Sequence, residues 1–385
     1  MDNLLFRAEI TDGKGNYAEL NLPASDYELL DAVERLGAEP VGYPDCTVIE
    51  YLDYAFLAPL LDESKPLYEF NGLARKLAEL DLIDSVSFEG LVKMEIEKKE
   101  GAITLPKLID LAYSADCCNA EPAFNDEELG KFYAENDFMP ELEDISDKVF
   151  ELLDFRKIGK DIREGEHGVF TTRGYVVQTS DLKQVYDTMD FQPRKPDYVF
   201  RLTLGTVDGS RTSVLDLPAE QYQMDLALTK LGLPSLEGTA LKNFDGVPLD
   251  LDLDLYFMGG LDSLNELAKS IQELENQGQL SKFQAILHAA NCHDVEDALK
   301  FAGDVDAYIL TPSQRRAEDL GRDELRYALD EKTFEMLWRH VDLHSYGKEL
   351  LADRNGAMTP YGAIQRRDCE VIQVPPDPQN TMEMR

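Results

Sequence analysis

The sequence predicts an α+β fold, elongated and built from two tandem repeats. Each repeat holds a small α/β module, a helical module and a second α/β module. Three observations carry this expectation. Landmarks recur in the same order in residues 6–175 and 200–363. Within each copy, period-two alternation gives way to apolar residues at helical spacing, and then to glycine-punctuated apolar pairs. The formal charge is −37 across 385 residues, and acidic residues run through both copies.

The repeat rests on paired positions. Phe6-Arg7-Ala8-Glu9-Ile10 is echoed by Phe200-Arg201-Leu202-Thr203-Leu204, Leu22-Pro23-Ala24 by Leu217-Pro218-Ala219, and Leu36-Gly37 by Leu231-Gly232. LYEFNGLARKLAEL from Leu67 matches LDSLNELAKSIQEL from Leu261, pairing Asn71 with Asn265. Glu128-Leu129-Gly130-Lys131 matches Asp319-Leu320-Gly321-Arg322. Gly159-Lys160, Gly168, Thr171 and Gly174 match Gly347-Lys348, Gly356, Thr359 and Gly362. A unit of this length is too long for a solenoid repeat.

The elements follow in order. LLFRAEITDG and YAELNLP alternate as paired strands do. Ala24-Ser25-Asp26 supplies a helix N-cap, and Leu29, Leu30, Val33 and Leu36 form a stripe behind it. Leu67, Phe70, Leu73, Ala74, Leu77 and Leu80 recur at helix spacing, as do Leu261, Leu264, Leu267, Ala268, Ile271 and Leu274. A helix is expected near 126–134, with its counterpart at 315–328. GVFTTRGYVV and GAMTPYGAIQ read as antiparallel hairpins. The first unit is then 1–178, divided at about 1–62, 63–125 and 126–178. A partly extended linker covers 179–198. The second unit is 199–369, divided at about 199–258, 259–314 and 315–369. A flexible tail is expected at 370–385.

Composition bounds the function. The chain is 43% hydrophobic with 17 Phe and 17 Tyr, so the charge sits on a folded body. With 75 acidic against 38 basic residues, the surface repels nucleic acid and anionic membrane, and its natural partners are basic. Simple solubility is the competing explanation. Cys46, Cys117, Cys118, Cys292 and Cys369 form no C-x-x-C, which points to a reducing cytoplasm and neither a disulfide framework nor a zinc ribbon. No leader or membrane-spanning run is expected.

Catalytic and metal-binding patterns are weak. His340 and His344 sit at i, i+4 and could share a helix face, but a zincin would need Glu where Val341 stands. Cys292-His293 is adjacent in sequence, which does not bring a thiol to an imidazole. Gly13 and Gly15 lack the third glycine of a dinucleotide site. An EF-hand loop from Asp250 would need Gly and Glu where Leu255 and Leu261 stand. The expectation is no enzyme, no cofactor and no metal.

Carboxylates are the candidate site. In DGVPLDLDLDLY, Asp250, Asp252 and Asp254 alternate with leucines. On a strand they would share one face at about 6.6 Å spacing, of the order of the phosphate spacing along DNA. Residues 126–154 carry a second strip: Asp126, Glu127, Glu128, Glu135, Asp137, Glu141, Glu143, Asp144, Asp147, Glu151 and Asp154. Glu318 and Asp319 are the matching positions in the second unit. Some of these are ordinary solvated or helix-terminal residues.

The repeated unit resembles the ArdA-type antirestriction proteins, acidic DNA mimics of mobile elements. The resemblance is carried by the helix pattern around Asn71 and Asn265, by Tyr346-Gly347-Lys348-Glu349-Leu350, and by His167-Gly168-Val169-Phe170. It implies α+β modules in an elongated body that dimerises into a curved rod. It also implies carboxylates that copy DNA phosphates and occupy the DNA-binding groove of type I restriction–modification enzymes, protecting incoming DNA. Two units in one chain depart from the usual single unit, and Ile158 stands where the second unit has Tyr346. The chain could act as a pseudo-dimeric monomer or as a homodimer. The alternative partner is another basic DNA-binding protein: a nucleoid protein, a transcription factor or a CRISPR effector. Duplex DNA carries one charge per about 1.7 Å, so the net charge corresponds to roughly 60 Å of duplex and the gross carboxylates to roughly 130 Å.

Overall fold

The computed structural model describes residues 4–11, 16–37, 44–99, 101–142, 145–206, 208–235, 239–253 and 261–375. It is a mixed α+β fold with four small sheets among the described residues.

The first half opens with β1 (Phe6–Thr11) and β2 (Tyr17–Leu22), antiparallel with Phe6 opposite Leu22. Their burial alternates, so Phe6, Ala8 and Ile10 enter the core with Ala18, Leu20 and Leu22. α1 (Asp26–Leu36) follows. Ser25 caps it in a capping box with Glu28, and Gly37 closes it in the left-handed conformation. This is the reciprocal pairing that satisfies orphan donors at a helix start. β3 (Asp45–Tyr51) and β4 (Lys65–Pro66) complete the sheet order β2-β1-β3-β4.

Next come α2 (Leu67–Glu79), α3 (Leu82–Lys98) and α4 (Leu105–Tyr113). The predicted α2 stripe is buried from Leu67 to Leu77, with Leu80 half-buried. The last part holds β5 (Cys118–Glu121), α5 (Asp126–Glu135), α6 (Asp147–Phe150), α7 (Phe155–Glu166), β6 (Val169–Phe170) and β7 (Tyr175–Gln178). β5 joins the predicted hairpin in the order β5-β7-β6.

The second half has no counterpart of β4 among the described residues. β8 (Phe200–Thr206), β9 (Thr212–Leu217), α8 (Gln221–Leu231) and β10 (Thr239–Gly246) come first. Then come α9 (Leu261–Asn276), α10 (Leu280–Ala290) and α11 (Val295–Gly303). The end holds β11 (Tyr308–Thr311), α12 (Ala317–Ala328), α13 (Glu331–Leu337), α14 (Leu343–Asp353), β12 (Ala357–Thr359) and β13 (Gly362–Arg366). The sheets run β10-β8-β9 and β11-β13-β12.

Close approach is built alike in both halves. α5 and α7 touch where Gly130 meets Gly159, and a Cβ on Gly159 would lie 1.8 Å from the Asp126 carbonyl. α12 and α14 touch where Gly321 meets Gly347, and a Cβ there would lie 1.8 Å from the Ala317 carbonyl. Interiors this tight leave no room for a methyl group.

Three expectations are corrected. The leucine–aspartate run is not a paired strand: β10 ends at Gly246, and residues 247–253 join no sheet. The alternation survives without a ladder, because Leu249, Leu251 and Leu253 pack on the second core while Asp250 and Asp252 face outward. His340 and His344 do not share a helix, since His340 ends a 3-10 turn and His344 belongs to α14. The α1 stripe is Tyr27, Leu29, Ala32 and Leu36, with Leu30 and Val33 only half-buried.

The segment 179–198 holds no strand, makes a 3-10 turn at Tyr186–Thr188, and is docked. Leu182, Tyr186, Met189 and Phe191 pack on the first core. Asp110 accepts from the Val185 and Tyr186 amides at 2.7 and 2.9 Å. The expected tail overlaps residues 376–385, which lie outside the described residues. Residues 370–375 form no regular element, and Ile372 packs on the second core.

Candidate anionic interface

The two halves differ in acid content. Residues 1–178 hold 39 acidic and 17 basic residues, and residues 199–369 hold 29 and 17. The same cations thus face ten more carboxylates in the first half. The contrast is sharpest in matching segments: 126–154 has eleven acidic and two basic residues, whereas 317–342 has eight and four.

The predicted carboxylates separate into engaged and free groups. Asp126, at the start of α5, takes Arg163 Nε at 2.8 Å, and that bond holds its carboxyl below the usual range. Glu128 accepts from the Phe124 amide at 2.9 Å and from Asn125 Nδ2 at 2.7 Å, tying the α5 start. Asp154 caps α7 through the Lys157 amide at 3.1 Å. Glu135 has Lys131 at 3.6 Å. Asp319 accepts from the Arg316 amide at 3.0 Å. Glu318 sits in the first turn of α12 with His344 Nδ1 at 2.9 Å. Its carboxyl is held low, first by its own backbone N–H and then by His344.

Glu127, Asp137, Glu141, Glu151 and Asp252 are exposed, and no described residue pairs with their side chains. Asp250 is 95% exposed, with His293 Nδ1 at 3.3 Å. Glu143, Asp144 and Asp254 lie outside the described residues, as does the side chain of Asp147. The free carboxylates of 126–154 all lie on the stretch from α5 to α7, and Asp250 and Asp252 lie apart from them in the sequence.

Apolar groups interleave with the first strip. Phe138 is 55% and Leu152 84% exposed. Phe132 stacks on Phe138 with centroids 5.8 Å apart. Exposed aromatics bordered by charge are typical anchors of protein–protein interfaces.

The strip reading missed one acidic face. Glu9 and Glu19 lie directly opposite each other on β1 and β2, both exposed. Like charges in that register destabilise a sheet. Their counterparts across β8 and β9 are Thr203 and Val214. The signal was present in FRAEIT and YAELNL, where each Glu takes an outward position in the alternation.

Other chemistry does not assemble among the described residues. No group of three His, Cys, Asp or Glu is placed to hold a metal ion. Burial pushes the Cys292 thiol up, and its sulfur points to the Asp294 carbonyl at 3.6 Å. The neighbouring His293 ring bonds the Asp250 carbonyl at 2.8 Å instead. No described helix is long and apolar enough to cross a membrane.

No family model matches the chain, and no curated protein matches it.

Proposed function

We propose that this protein is a non-enzymatic DNA mimic, which occupies the DNA-binding groove of a basic enzyme of the type I restriction–modification class. The observation that carries the reading is the run of free carboxylates on the stretch from α5 to α7, together with the facing pair Glu9 and Glu19. A folded surface that keeps such charge unneutralised sacrifices stability to self-repulsion, and a basic groove would recover it.

The tandem arrangement is part of the proposal. Two units in one chain lengthen the acidic surface without a partner subunit. The ten-carboxylate difference makes the first unit the principal binding half.

The mechanism follows from the charge. Carboxylates displace the counterions and DNA of the groove, and Phe138 and Leu152 supply apolar contact at its edge. The experiment is a competition for DNA binding by a purified type I enzyme at several salt concentrations. Inhibition that falls as DNA or salt rises supports the reading. Unimpeded DNA binding by that enzyme, with inhibition of another basic DNA-binding protein, would move the reading to that partner.

A further inference from the structure

The outer face of α1 is covered by the second half. Tyr27 is buried in the second core, and its hydroxyl donates to the Tyr198 carbonyl. Asp31 accepts from Tyr361 at 2.7 Å and from Gln284 at 3.0 Å. Ser281 donates to Glu34 at 2.9 Å. Arg315 donates to the Arg35 carbonyl at 2.6 Å. The socket is therefore α10, the β12–β13 turn and the residue two before α12.

The matching helix of the second half is uncovered. α1 and α8 both end in a left-handed glycine, Gly37 and Gly232. That anchor places Tyr222 at the Tyr27 position and Leu226 at the Asp31 position. They are 68% and 52% exposed.

The matching socket of the first half is exposed only at its rim, since Glu89 is 2% exposed and holds Lys93 at 3.1 Å and Arg173 at 3.8 Å. Phe88-Glu89-Gly90-Leu91-Val92 of α3 aligns with Phe283-Gln284-Ala285-Ile286-Leu287 of α10, and both phenylalanines are fully buried. Arg173 takes the place of Tyr361 in the hairpin turn, and Phe124 that of Arg315. Thr172 and Arg173 are exposed, and Phe124 is 54% exposed.

We infer that these two faces bind each other between molecules, so that the α8 face of one copy seats on the α3 and β6–β7 face of a second copy, head to tail. The residues have changed in a complementary way. Gln284 donates to Asp31, but its counterpart Glu89 can only accept, and it already takes the Thr172 amide at 3.0 Å. The Arg173 guanidinium stays on Glu89 at 3.8 Å, and Leu226 meets Phe124 and the Arg173 stem. Tyr222 keeps its hydroxyl, with the Leu4 carbonyl in the place of that of Tyr198. The contact is heterologous, so it leaves one open face at each end and continues past the dimer.

The inference rests on the equivalence of the two halves, and its test reads association rather than inhibition, so failure here leaves the mimic reading standing. Sedimentation of the full chain is followed across about 10–300 µM, where micromolar to millimolar contacts become populated. Added salt, to about 0.5 M, screens the net charge. The expected result is a mass that grows with concentration and with salt, past the dimer. Tyr222→Glu with Leu226→Glu stays monomeric with unchanged circular dichroism. Leu226→Cys and Arg173→Cys, each in a Cys369→Ser background, are then oxidised alone and mixed. Cross-linking that requires the mixture supports the head-to-tail contact. A constant monomer mass, or cross-linking of either variant by itself, overturns it.

Discussion

Asn71 and Asn265 make the same two bonds in the two halves. Asn71 accepts from the Ala24 amide at 2.7 Å and donates to its carbonyl at 3.0 Å. Asn265 does the same to Ala219, at 2.7 and 3.0 Å. Each buried amide pins the strand-to-α1 or strand-to-α8 turn to the first helix of the next module.

The pair predicts unequal costs. In the first half Arg75 also donates to the Ala24 carbonyl, at 3.0 and 2.7 Å. Asn71→Ala therefore orphans only the amide. Lys269 stands where Arg75 does, and it makes no such bond among the described residues, so Asn265→Ala orphans both groups. At about 1–3 kcal/mol per orphaned buried group, Asn265→Ala should lower the denaturation midpoint clearly more than Asn71→Ala. Equal losses would show that the turn relaxes to water.

Asp31 predicts a pH slope at the junction of the halves. Burial raises its carboxyl above the usual value, against the opposing pull of Arg35. The folded state then holds the proton more tightly than the unfolded state. Its contribution to stability is greatest below about pH 4, the unfolded value, and declines as pH rises through the raised folded value. Asp31→Asn should flatten this part of the stability profile between pH 4 and neutrality, as read by urea midpoints. An unchanged difference between the two proteins across that range would refute it.

Glycines give a sharp contrast within one helix. Gly159→Ala puts a methyl 1.8 Å from the Asp126 carbonyl and should cost about 3 kcal/mol by forcing α5 and α7 apart. Gly165, also in α7, meets nothing within 4 Å. Gly165→Ala should stabilise by up to about 1 kcal/mol through helix propensity. Thermal melts of the two variants read the difference directly.

Much of the fold was legible, and the failures have physical causes. Strands with one wet face showed as alternation from Phe6 to Leu22, and α2 and α9 showed as stripes. α3 gives no stripe, because eight consecutive residues from Ser85 to Val92 are buried. β5 and β11 are four residues each and carry too little pattern to stand out. Tyr27 joined the α1 stripe only because a distant half covers it. At the candidate site the sequence showed where carboxylates are dense. It could not show that Asp126, Glu128, Asp154 and Asp319 are engaged by their own helix ends and cations.

The facing glutamates predict a trade between stability and binding. Glu9→Gln with Glu19→Gln removes a like-charge pair and should stabilise the first sheet by about 0.2–1 kcal/mol. The same variant should bind the target enzyme more weakly. A gain in stability with unchanged inhibition would make the pair ordinary surface.

The central claim is that free carboxylates, mainly of the first half, stand in for DNA phosphates. The most direct measurement is the salt dependence of binding to a purified type I restriction–modification enzyme. It is made for the native protein and for two folded charge-reversal variants, Glu127, Asp137, Glu141 and Glu151 to Lys, and Asp250 with Asp252 to Lys. The account predicts competition with DNA and a logarithmic affinity that falls linearly with the logarithm of salt, as counterion release requires. It also predicts a shallower slope and weaker binding in the first variant than in the second. Salt-independent binding, or full inhibition by both variants, would contradict the account.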